Sequence, residues 1–155
     1  MTRRSIGWVL LLLMLLNLAF IWSNSLLPAE ASAGLSAKVK AWLLKLVPGE
    51  GSAENGGHQL RKWAHFLEFC CLGMLLCGLA LLRGSLTRRK LLFCWIGGVL
   101  AACADETIQR FVPDRGPSFK DVLIDTSGAA VGMILLLVGY AYVKRHKKQA
   151  TEEMA

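Results

Sequence analysis

"RKWAHFLEFCCLGMLLCGLALL" (Arg61–Leu82) decides the fold. From Phe69 to Leu82 it carries no charge, and its length and apolarity suit a helix that crosses a membrane. Yet it opens with Arg61, Lys62, His65 and Glu68. At about 100° per residue, Arg61, His65 and Glu68 fall within about 60° of one another, with Lys62 roughly 60° to one side. An ionisable group left in hydrocarbon costs about 2.5–3.5 kcal/mol, so this polar stripe calls for partners elsewhere in the chain.

The rest of the sequence repeats the pattern. The chain has 155 residues, of which 54% are hydrophobic and 19% charged, and its mean hydropathy is +0.45. Ile6–Trp22, Leu91–Ala104 and Thr126–Val143 are also free of charge. None of the four blocks alternates with a period of two, which argues against strands. The reading is an all-α polytopic membrane protein, a single domain over residues 1–155, with spans at about 6–22, 64–82, 91–108 and 122–143. Arg3 and Arg4 before the first block, with Ala31-Ser32-Ala33 after it, could instead mark a signal peptide. That site lies well past the apolar run, so a retained anchor is the preferred reading.

The net charge of +7 could suggest nucleic acid, but its distribution points to topology. Ten of the eighteen basic residues fall in three segments on one side of the membrane: Arg3 and Arg4; Arg83, Arg88, Arg89 and Lys90; and Lys144, Arg145, Lys147 and Lys148. Only Glu152 and Glu153 accompany them there. The positive-inside rule then places both termini in the cytoplasm, and no nucleic-acid partner is expected. On the other side, Leu35, Val39, Trp42, Leu43 and Leu46 recur at helical spacing and predict a short amphipathic outer helix. "PGEGSAENGG" (residues 48–57) reads as a linker, and "RFVPDRGPSFKD" (residues 110–121) as a turn. The five cysteines show neither a CxxC pair nor zinc spacing and read as small packing residues.

Depth and facing bring the polar groups together. Glu68 stands fourteen residues from Leu82, and Asp105 fourteen from Leu91, a rise of about 21 Å in each helix. Both therefore belong at one height, near the outer boundary of a hydrocarbon core about 30 Å thick. Asp105 and Gln109 lie one turn apart with Glu106 flanking, and so do Asp121 and Asp125. Gly128 and Gly132 continue the stripe of the last two as a close-packing signature. A lone ion pair would serve to staple a bundle. A cluster of this many polar groups at one depth favours a functional pocket.

His65 and the carboxylates are candidates for general acid–base work. Lys62 and Arg115 offer positive charge to a phosphate. Gln109 suits a hydrogen-bond orienter, Trp63 an interfacial anchor, and His58 and His146 solvated positions. His65, Glu68, Asp105 and Asp125 could together take a divalent ion. One histidine and the nearby Lys and Arg weaken that option, so no metal and no cofactor are expected.

"KWAHFLEF" (residues 62–69) and "ADETIQRFVPDRGPSFKDVLIDTSGAAVG" (residues 104–132) resemble the VanZ-like family. So does "IWSNSLLP" (residues 21–28) after the first span. The family's polar signature falls on Lys62, His65, Glu68, Asp105, Glu106, Gln109, Arg115, Asp121 and Asp125. The last departs from the pattern, since the family usually has Asn there. The resemblance implies a bacterial envelope protein linked to teicoplanin-type glycopeptide resistance. Its leading functional form is a membrane enzyme acting on a lipid or lipid-linked cell-wall precursor at the outer leaflet. In that form His65, Glu68, Asp105, Glu106 and Asp121 are catalytic, and Lys62, Gln109, Arg115 and Asp125 bind substrate. The alternative is a non-catalytic binder that shields or sequesters antibiotic or precursor. A proton or ion carrier is disfavoured, because the half of the bundle nearer the cytoplasm has no ionisable residue to form a relay.

Overall fold

Each charge-free block lies within a helix that runs past it, at both ends in three cases and only at the start for Phe69–Leu82. The computed structural model describes residues 2–28, 34, 56–113, 116 and 118–152. Among these, four long helices follow one another: α1 (Arg3–Leu26), α2 (Gly56–Leu82), α3 (Arg88–Gln109) and α4 (Phe119–Glu152). No strand occurs among the described residues. All four helices are long and apolar enough to cross a membrane, where a helix is the one open-ended element that satisfies its own backbone. The expected amphipathic segment at residues 35–46 lies outside the described residues, as does most of the 48–57 linker. Gly56 and Gly57 prove to belong to α2.

Helix starts are chemically marked at the end of the bundle where the basic residues gather. Thr2 caps α1 by accepting from the backbone N–H of Ser5, and Thr87 caps α3 by accepting from that of Lys90. The tight turn between α2 and α3 needs a left-handed residue, supplied by Gly84 at φ 109°. Lys90 Nζ then donates to the carbonyls of Arg83 and Ser85, each at 3.1 Å, which ties up the end of α2.

Packing sets the helix order. The closest pair is α2 with α4, which run parallel: Gly128 lies against the carbonyl of Phe66, and Gly132 against that of Cys70, one turn further along both helices. Gly73 answers from α2 against the carbonyl of Ala129. Any Cβ at these glycines would run into backbone, so small residues are what allow the approach. Ile21, Phe69, Leu72, Ala101, Ala102 and Ala129 fill the space beneath the polar end. Cys77, Cys94 and Met133 form a second cluster nearer the basic end. Cys70, Cys77 and Cys94 are buried, and Cys94 Sγ donates to the Leu76 carbonyl. α1 is peripheral, with only Ile21 and Ser25 buried. Its Leu12, Leu16 and Phe20 face outward, as suits contact with acyl chains.

Candidate functional site

All four helices bring polar side chains to one end of the bundle, opposite the basic turn. α2 contributes Arg61, Lys62, His65 and Glu68 from successive turns; α3 contributes Asp105, Glu106 and Gln109; α4 contributes Asp121 and Asp125; and α1 adds Asn24 and Ser25. His65, Asp105, Glu106, Gln109, Asp125 and Ser25 are all buried. Arg115, a predicted anion holder, lies outside the described residues.

The buried centre is an imidazole between carboxylates. His65 Nδ1 stands 3.7 Å from Glu68 Oε2 and 4.0 Å from Asp105 Oδ2. These gaps are longer than a hydrogen bond but within ion-pair range. His65, Asp105 and Asp125 each place one possible ligand atom within 4.8 Å of the others, from three different helices. Each carboxylate is fixed from outside the centre. Asn24 Nδ2 donates to Glu68 Oε1 at 2.8 Å, and Gln109 Nε2 donates to Asp105 Oδ2 at 2.8 Å.

Gln109 is the junction of this network. Its amide nitrogen also donates to Ser25 Oγ at 3.3 Å, and its carbonyl accepts from the Arg61 guanidinium at 3.1 Å. One side chain thereby joins α1, α2 and α3. Glu106 has different work. Its Oε2 accepts from the backbone N–H of Ser118 at 2.7 Å, just before α4 begins, so it anchors the start of that helix. Asp121 lies in the first turn of α4 and pairs with Lys62 at 3.1 Å. Their side chains are 36% and 26% exposed, which makes this pair the open rim of the site.

Sequence reasoning gathered the acidic residues but missed Asn24 and Ser25, and it gave Arg61 no role. The available signals were the family resemblance of "IWSNSLLP" (residues 21–28), which contains both, and their position at the end of the first apolar block, level with Glu68 on an antiparallel neighbour. Trp63, Phe111 and Phe119 lie exposed around this end, where aromatic rings favour a membrane interface.

Inside the rim is a recess of only ≈ 20 Å³, lined by residues that include Arg61, Lys62, His65, Gln109, Asp121 and Asp125. That is room for about one water-sized sphere. A headgroup could therefore meet Lys62 and Asp121 from outside without entering. A larger recess of ≈ 870 Å³ lies at the other end, between α1, α2 and α3, with Arg3, Arg4, Arg83 and Lys90 at its edge and apolar walls. Its lining residues include no His, Asp or Glu.

Comparison with curated proteins and with solved structures yields no match. A family model does match: the one described as VanZ/LLP1 covers residues 8–140, which takes in α2 and α3 whole, most of α1 and α4, and every polar residue of the cluster. This chain belongs to the VanZ/LLP1 family.

Proposed function

We propose that this protein works at the outer leaflet of the bacterial cytoplasmic membrane, on the headgroup of a lipid or lipid-linked cell-wall precursor. Its action would lower susceptibility to teicoplanin-type glycopeptides. The observation that carries the reading is an imidazole flanked by two carboxylates, buried beneath a half-open Lys62–Asp121 rim. The basic residues of the opposite end support a cytoplasmic position for both termini, which turns the polar end outward.

The chemistry would be hydrolysis or transfer at a phosphoester. Lys62, with Arg115, offsets the charge of the phosphoryl oxygens. His65 takes the proton of the attacking hydroxyl as its oxygen bonds to phosphorus, and Glu68 and Asp105 steady the imidazolium that results. The bond to the leaving oxygen breaks, and that oxygen receives the proton. Gln109 and Asn24 hold the two carboxylates in place. Glu106 fixes α4, and with it Asp121 and Asp125.

The test uses purified protein in nanodiscs made with total envelope lipid, with lipids profiled by mass spectrometry over time. Wild type should deplete one lipid class and accumulate its product, whereas Glu68→Gln should not. Identical profiles would overturn the enzymatic reading. If teicoplanin protection nevertheless persisted in cells, the non-catalytic binder would take its place.

A further inference from the structure

Among the described residues, the polar end gathers more carboxyl groups than it has cations bonded to them. Glu68, Asp105, Glu106, Asp121 and Asp125 gather there. Among the described residues, the permanent cations bonded into the group are Arg61 and Lys62. Arg61 donates to the neutral amide of Gln109, and Lys62 is engaged by Asp121 on the rim. Deeper in, Asp105 is 0% exposed. Its Oδ2 accepts from Gln109, but its Oδ1 is buried with no hydrogen-bond partner. Glu68 Oε2 likewise accepts no hydrogen bond. A buried carboxylate oxygen in this state is tolerated when a cation meets it.

We infer that the protein binds one divalent metal ion at its polar end, held by His65 of α2, Asp105 of α3 and Asp125 of α4. One donor atom from each lies within 4.8 Å of the others. Bonds of about 2.0–2.2 Å to nitrogen and oxygen bring donors to roughly 4 Å apart or less. His65 Nδ1 and Asp105 Oδ2, at 4.0 Å, are already there. The remaining contraction is under about 1 Å, within reach of carboxylate and imidazole torsions. Glu68 Oε2, 3.7 Å from His65 Nδ1, is available as a fourth donor.

The recess fits an ion better than it fits anything larger. Its ≈ 20 Å³ is lined by His65 and Asp125 among others. That volume takes one ion or water and excludes a phosphate. Gln109 on Asp105 and Asn24 on Glu68 are the outer hydrogen bonds that orient ligating carboxylates in metal sites. The positive charges that weaken a metal reading of the sequence, Arg61 and Lys62, also line the recess, but Arg61 donates to Gln109 and Lys62 pairs with Asp121, so neither is bonded to a proposed ligand. A donor set of one imidazole and two or three carboxylates suits Mn²⁺ or Zn²⁺. Ca²⁺ would want six to eight oxygens. Occupancy does not require turnover, and at His65 Nδ1 the ion and the proton of the mechanism proposed above are alternatives, because one lone pair serves only one of them.

The experiment uses tag-free protein in nanodiscs, stripped with chelator and titrated with Mn²⁺ under electron paramagnetic resonance and with Zn²⁺ under calorimetry. One saturable equivalent is expected, with affinity reduced at least tenfold in His65→Gln and in Asp125→Asn. X-ray absorption on the zinc-loaded wild type should show nitrogen and oxygen neighbours at about 2.0–2.1 Å, and it needs no variant to fold. A sulfur shell at about 2.3 Å, the mark of cysteine ligation, would overturn the assignment. So would the lack of a saturable equivalent, or binding unchanged in both variants. Because the readout is occupancy, a negative lipid assay leaves this result standing, and a negative titration leaves the lipid assay standing.

Discussion

Replacing Gly132 by alanine tests whether the α2–α4 contact holds the bundle together. A Cβ built at Gly132 meets the carbonyl oxygen of Cys70, which is backbone and not the far end of a flexible side chain. Relief therefore requires the helices to part. A methyl group and a carbonyl oxygen rest at about 3.3–3.6 Å, so a shift on the order of 1 Å is needed along a seam that also holds Gly128 and Gly73. Overpacking of this kind costs about 1–3 kcal/mol, against which alanine returns up to about 1 kcal/mol of helix propensity. The net expectation is a loss of about 1–2 kcal/mol, about five- to thirtyfold in the folding equilibrium. Gly139, on the same helix, is the matched control, because nothing lies within 4 Å of its Cβ position. Gly139→Ala keeps the propensity gain without the collision and should be neutral or slightly stabilising. Both variants would be unfolded by sodium dodecyl sulfate titration from mild detergent and followed by tryptophan fluorescence. Equal midpoints for the two alanines would refute close backbone approach as the organising contact.

The other expectations use the same unfolding assay unless stated. Gln109→Ala removes the two interhelical bonds to Arg61 and Ser25 and the bond to Asp105 on its own helix; at about 0.6–2 kcal/mol per interhelical bond in a membrane bundle, it should lose roughly 1–4 kcal/mol, and a loss below about 0.5 kcal/mol would deny it a joining role. Glu106→Ala leaves the Ser118 N–H without its acceptor and should cost about 1–2 kcal/mol, whereas Glu106→Gln keeps an acceptor and should cost less than half as much. Asp125→Asn removes one charge from a crowded acidic group and, in chelator, should raise stability by about 0.5–2 kcal/mol; destabilisation would mark Asp125 as a staple. A fluorescent protein fused after Ala155 should mature and a periplasmic phosphatase fused there should stay inactive, the reverse pattern refuting cytoplasmic termini.

What the sequence made legible followed from periodicity and charge. Four charge-free blocks became four helices, because an apolar run long enough to span hydrocarbon has no other stable form there. Helix ends were less legible. α2 begins at Gly56, within a glycine-rich stretch whose composition suggests a turn, and α4 continues to Glu152 through residues with no apolar signal. Spacing of four placed Asp105 and Gln109 on one stripe, and the bond between them has that register. Partners on other elements were hidden for three separate reasons. Asn24 and Ser25 are small neutral residues closing an apolar run, and the resemblance of "IWSNSLLP" marked their segment without giving either a partner. Gly73 packs against Ala129 and belongs to no GxxxG pair. Glu106 is matched by the N–H of Ser118, and a backbone donor has no residue identity for a sequence to reveal.

The polar end does two physically different jobs, and its residue types separate them. Joining helices in an apolar solvent requires hydrogen bonds, and neutral amides and hydroxyls supply these at least cost. Asn24 joins α1 to Glu68 of α2, and Gln109 of α3 donates to Ser25 of α1 and accepts from Arg61 of α2. Carboxylates are a poor choice for the same task, because each costs about 2.5–3.5 kcal/mol to insert before a partner is found. Glu68 and Asp105 each keep one oxygen buried and without a hydrogen bond even after the amides are attached. A bundle needing only cohesion would do better with asparagine or glutamine at both positions. On the reading proposed above, the acids await something positive or reactive that the described side chains do not supply, and Asn24 and Gln109 hold them ready to meet it.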